Sequence, residues 1–130
     1  MQVDRKAIVR IKINSAKGIL DNAERAIKSE ELLKAAIKIY EAIFISVSAL
    51  ALKDDFLTSS HAQLFSWFNE NYIMTGIMKE NLEKFYLEIF QMYQKINVDE
   101  FVDVDKTGIK EKHLIAVEFL NEIISILDLD

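Results

Sequence analysis

The chain has no cysteine and no proline, and only three glycines in 130 residues: Gly18, Gly76 and Gly108. Without thiols there is no disulfide framework and no thiolate zinc site, and a cytoplasmic setting is the simplest expectation. Without proline, and with its glycines too far apart to build a phosphate-cradling loop, the backbone carries few helix breakers. Long helices joined by short links are therefore expected. Basic charge is also scarce. The net charge is -5, from 16 basic and 21 acidic side chains, so the chain lacks the overall basic field that sequence-independent nucleic-acid binding requires. The longest uncharged apolar run, Ala42 to Leu52, is too short to span a membrane and contains Ser46 and Ser48. Met1 is followed by polar and charged residues, so no apolar leader is read at this end.

Hydrophobic residues nevertheless make up 51% of the chain and charged residues 28%. That is enough apolar material for a core and enough charge for solubility, and residues 1–130 read as one soluble domain. The charge is uneven. Residues 1–38 hold nine basic and five acidic side chains, whereas residues 39–130 hold seven and sixteen. The N-terminal excess offers a local basic face, or pairs with the acidic remainder within the chain or across a dimer.

Apolar periodicity predicts an all-α fold, an up-and-down antiparallel bundle of four long helices plus one short one. The first helix runs from about Asp4, its cap, to Arg25, with Val9, Ile13, Ala16, Leu20, Ala23 and Ile27 on one stripe. The second runs from Glu30 to Leu52 with Ser29 as cap and a seam of Leu33, Ile37, Tyr40, Phe44, Val47 and Leu50. It is apolar on nearly all sides beyond Ala42, which marks it as the central helix. Ser60 and Gln63 form a capping box for a short third helix ending near Asn71. Gly76 marks a turn, and a fourth helix covers Met78 to Ile96. Residues 97–106 read as an acidic loop with an extended segment. Thr107 caps a fifth helix reaching Leu127, whose face comprises Ile109, His113, Val117, Leu120, Ile124 and Leu127. Surplus apolar surface on so small a chain predicts self-association as a two-fold dimer.

No complete catalytic motif is present. His61, in the first turn of the third helix, is the leading candidate for chemistry, with Lys53 as its nearest cationic helper. His113 falls on an apolar face and reads as a packing or interface residue. Lys34 and Lys38, one turn apart, and Tyr40 beside them are candidates for an anion or ligand. The aromatic cluster in helices two to four reads as core, or as a groove for a planar ligand. Asp103 to Gly108 has the alternating oxygens of a calcium loop, but its twelfth place is Leu114 where a bidentate glutamate is required. No metal and no cofactor are expected.

The stretch Tyr40, Glu41, Ala42, Ile43, Phe44, followed by Ser48 to Leu52 and then Thr58, Ser59, Ser60 and His61, resembles the HEPN family, in particular its small stand-alone prokaryotic members. The resemblance covers about residues 5–127 and continues through the apolar helix Leu64 to Phe68 and the turn Asn71 to Gly76. It implies a helical bundle, usually dimeric. Such members are often encoded beside, or fused to, a minimal nucleotidyltransferase, and several are toxins of toxin–antitoxin pairs. Active members cut RNA with an arginine followed four to six residues later by histidine, the arginine holding phosphate and the histidine serving acid–base chemistry on the 2′-hydroxyl. Here the arginines are Arg5, Arg10 and Arg25, and none has a histidine at that spacing. At the end of helix four, where related members often carry R-x-x-x-D-Y, the chain reads Gln91, Met92, Tyr93, Gln94, Lys95, Ile96, so the arginine, aspartate and tyrosine positions hold Gln91, Lys95 and Ile96. The expectation is a non-catalytic protein that partners a nucleotidyltransferase. The alternative is a ribonuclease or nucleotide-binding protein with a non-standard site near His61.

Overall fold

The computed structural model describes residues 4–129. Five α-helices follow one another: α1 (Arg5–Lys28), α2 (Leu32–Lys53), α3 (His61–Phe68), α4 (Glu80–Asn97) and α5 (Lys106–Leu127). Among the described residues there is no strand. The chain is all-α, as the periodicity predicts.

Long-range pairs fix the direction of each helix. Arg5 at the start of α1 pairs with Asp55 just beyond α2, so these two helices run antiparallel. Glu30, just beyond α1, meets Lys106 at the start of α5 at 2.7 Å, and Arg10 near the start of α1 donates to the Leu129 carbonyl beyond α5. The fifth helix therefore also runs opposite to α1. Tyr93 late in α4 stacks on Tyr40 early in α2, which sets α4 antiparallel to α2. The four long helices thus alternate up and down.

The second helix packs against all four of the others, and its Ile39, Ile43, Val47, Ala49 and Leu50 are completely buried. One 18-residue window of it has a mean hydropathy of 1.7, enough by length and composition to cross a membrane. The run Ala42 to Leu52 alone understates that apolarity, and burial under the other helices accounts for it. Its two serines cause no penalty, because Ser46 and Ser48 donate to the Ile43 and Phe44 carbonyls one turn back.

Several expected details are corrected. Ser29 is the C-cap of α1, and Glu31 occupies the N-cap position of α2 with no side-chain capping bond. Leu33 is exposed, not part of the seam, because Ala35, Ala36 and Ile39 turn inward instead. The fourth helix begins at Glu80, since Met78 is buried with its N–H on the Tyr72 carbonyl at 2.7 Å. The cap of α5 is Asp105, not Thr107: its carboxylate accepts from the Gly108 N–H at 2.6 Å. A Cβ on Gly108 would lie 2.9 Å from that same carboxylate, which explains the glycine there. The buried face of α5 is Ile109, Ala116, Phe119, Leu120, Ile123 and Leu127, while Val117 and Leu114 are exposed.

The third helix does not stop at Asn71. It widens into a π-helical turn over Asn69–Ile73, closed by the Met74 N–H on the Asn69 carbonyl at 2.9 Å. That extra residue carries Tyr72 and Ile73 into the core and brings the Tyr72 hydroxyl to Asp54 at 2.5 Å.

Candidate functional site

The short third helix positions His61. Ser60 caps it, its hydroxyl accepting from the Gln63 N–H at 3.2 Å. The Gln63 side chain does not return to Ser60, as a reciprocal capping box would; it accepts from the Thr58 hydroxyl at 2.7 Å, and Thr58 in turn accepts from the Ser60 N–H. This lattice anchors the turn before His61 and sets the angle at which α3 leaves the loop.

The imidazole of His61 lies in an aromatic nest. Its ring stacks on Phe44 at 4.1 Å between centroids and near parallel to Tyr93 at 5.9 Å. The Tyr40 hydroxyl meets His61 Nδ1 at 2.6 Å. Tyr40 itself is buried beneath Phe90 and Tyr93. Burial, reinforced by the neighbouring Tyr93, raises the Tyr40 hydroxyl above the ordinary tyrosine range. The phenol therefore keeps its proton, and the direction of its hydrogen bond with Nδ1 goes with the imidazole tautomer. A buried phenol thus orients a half-buried imidazole.

His61 lines a cavity of about 350 Å³. Phe44, Leu52, Phe56, Leu57 and Leu64 form its apolar part, and Lys12, Ser48, Thr58 and Ser59 its polar part. Among the described residues no carboxylate and no arginine line it.

Of the five residues singled out from the sequence, the structure brings together Tyr40 and His61 only. Lys53 pairs with Asp54 at 3.5 Å and lines a separate cavity with Arg5 and Lys6. Lys34 pairs with Glu31 at 3.7 Å and Lys38 with Glu41 at 3.6 Å, each on or beside its own helix. The cation that lines the His61 cavity is instead Lys12 of α1, which no motif singles out. Its signal was position: it follows Val9 by three residues and precedes Ala16 by four, at the edge of the buried stripe. His113 has a structural role, its Nε2 meeting the Leu20 carbonyl at 2.9 Å and tying α5 to α1.

The three arginines lie elsewhere. Arg5 pairs with Asp55, Arg10 with the Leu129 carbonyl, and Arg25 reaches Asn22 at 3.4 Å. Among the described residues no group of three or more His, Asp or Glu side chains converges as a metal site; Asp105 of the calcium-like stretch is the helix cap.

An all-helical bundle with one short helix, presenting a single histidine from an aromatic nest, is the class of protein that these elements define. The family model for the HEPN domain matches residues 9–128, and the chain belongs to the HEPN family. It is also similar to a UPF0332 protein of Thermotoga maritima, 29% identical over 125 residues, an alignment covering 96% of this chain and 95% of that protein.

Proposed function

We propose that the chain is a non-catalytic HEPN protein that works as a homodimer and binds a minimal nucleotidyltransferase, in a two-component pair of the toxin–antitoxin kind. The observation that carries the non-catalytic half is the placement of the arginines. Each has its own partner outside the His61 cavity, so no guanidinium stands beside a histidine to hold a scissile phosphate. Cleavage by His61 with Lys53 or Lys34 finds no support either, because both lysines are paired with carboxylates away from that cavity.

The binding half rests on surface chemistry. Phe101 is 87% exposed in the acidic loop between α4 and α5, beside exposed Val98, Asp99, Glu100 and Asp103. An aromatic side chain ringed by carboxylates suits an apolar pocket with a basic rim: burial of the ring drives association and the charges fix its orientation. Leu114 and Val117 on α5, next to a groove shared with Glu24 and Lys28 of α1, supply a second apolar surface for the two-fold contact.

Affinity capture of the tagged chain from its host, read by mass spectrometry, tests this. Stoichiometric recovery of a nucleotidyltransferase-like protein is expected. Recovery of the chain alone under gentle conditions, or RNA cleavage by the purified chain that His61→Ala abolishes, would overturn it.

A further inference from the structure

The His61 cavity has the features of a ligand site, and its chemistry is independent of any protein partner. The Ser48 and Thr58 hydroxyls donate within the chain, which leaves three potential donors on its wall: the Lys12 ammonium, His61 Nε2 and the Ser59 hydroxyl. Lys12 is half-buried, and among the described residues no carboxylate pairs with it. The candidate lysines Lys34, Lys38 and Lys53 all have carboxylate partners. In a chain of net charge -5, a half-buried, unneutralised ammonium in a cavity without carboxylates is a local anion preference. The remaining walls are apolar and partly flat, from Phe44 and Phe56. A volume of about 350 Å³ accommodates a one-ring molecule with a charged head group.

From the juxtaposition of Lys12, Tyr40-oriented His61 and Ser59 with the rings of Phe44 and Phe56, we infer that this cavity binds a small aromatic anion, its head group on Lys12 and His61 and its ring against the phenylalanines. The role inferred is binding. His61 acts as a donor there and Tyr40 as its positioning residue.

The chain carries its own reporter. Trp67, its one tryptophan, stacks on Phe56 at 5.4 Å between centroids. Phenyl phosphate, benzoate, inorganic phosphate and benzyl alcohol are titrated into the purified full chain, followed by tryptophan fluorescence and in parallel by calorimetry. Saturable binding of phenyl phosphate or benzoate is expected, whichever binds more tightly identifying the preferred head group. Inorganic phosphate and benzyl alcohol, which each supply half of the chemistry, are expected to bind at least about tenfold more weakly. Lys12→Met keeps the apolar stem and removes the charge. It should weaken the aromatic anion by at least about tenfold while leaving benzyl alcohol unchanged. The control Lys17→Met, on the exposed side of α1, should bind as the parent does. Absence of saturable binding of both aromatic anions in both measurements, or equal binding by a folded Lys12→Met variant, overturns the inference.

Discussion

Glu30 and Lys106, 76 positions apart in sequence, meet at 2.7 Å with Glu30 in the left-handed backbone region at φ 60°. The same arrangement recurs at the end of α2, where Asp55 at φ 63° pairs with Arg5. A third acidic residue, Asp99 at φ 56°, closes α4 and has no ion pair among the described residues. All three follow a helix C-cap, and all three make the same two bonds. The left-handed residue donates to a carbonyl three residues back and its successor to one five residues back, as in Glu30 to Ile27 and Glu31 to Ala26. These are Schellman closures, which glycine usually provides. Here an acidic side chain stands at the negative end of the helix dipole, in a strained backbone region, and in two cases binds the first residue of another helix.

Glycine at these three positions should separate strain from ion pairing. Asp99→Gly is expected to raise stability by about 0.5–1 kcal/mol, having no ion pair to lose. Glu30→Gly and Asp55→Gly should gain less, by the ~0.2–1 kcal/mol of an exposed pair, and the gap should close in concentrated salt. Urea unfolding of the three variants at low and high salt measures this; three equal gains at low salt would remove any role for the ion pairs.

Gly18 lies inside α1 with nothing within 4 Å of where a Cβ would project. It permits no close helix approach. Gly18→Ala should therefore stabilise the chain by about 1 kcal/mol, seen as a raised thermal midpoint.

The Tyr86 hydroxyl is buried without a hydrogen-bond partner among the described residues, and its ring packs on Phe65, Phe68 and Phe119. Tyr86→Phe removes the unsatisfied oxygen and keeps the ring packing. It is expected to be neutral or stabilising by up to about 1–2 kcal/mol in chemical denaturation; a loss of that size would show that the hydroxyl is satisfied in solution.

Three tyrosines are held above their ordinary range: Tyr40 by burial and then Tyr93, Tyr72 by burial and then its bond to and charge of Asp54, and Tyr86 by burial and then Tyr40. The unfolded chain releases these protons near pH 10, while the folded chain retains them. Above that pH the unfolded state binds fewer protons, so stability is fully present below about pH 10 and falls as pH rises past it. Urea midpoints between about pH 8 and 11 should hold level and then drop, with a shallower drop in Tyr72→Phe.

Much of the fold was legible because the apolar spacing of α1 is strict, α2 is apolar on nearly all sides as a central helix is, and Ser60 announced the start of α3. The fifth helix was harder. Leu114, Ile115, Val117, Phe119 and Leu120 place apolar side chains on most of its circumference, so periodicity selects no single inward face, and the packing of Phe119 against Phe68 and Tyr86 decides it. The helix ends were missed because acidic residues stand where glycine or asparagine is the usual signal. At the site, Tyr40 and His61 were visible singly, but their bond spans 21 positions and arises only once the loop after α2 folds back. Lys12 was hidden because a lysine at a stripe's edge looks like any surface lysine until another helix covers it.

We propose that this HEPN protein acts by binding a nucleotidyltransferase through its acidic, Phe101-bearing loop. The most direct measurement is light scattering after size exclusion on the chain mixed with a minimal nucleotidyltransferase from its host, compared with Phe101→Glu, an exposed position that leaves the core untouched. The account predicts a defined complex for the parent chain and separate elution for the folded variant. Separate elution of the parent chain and the enzyme, or an unchanged complex with Phe101→Glu, would contradict it.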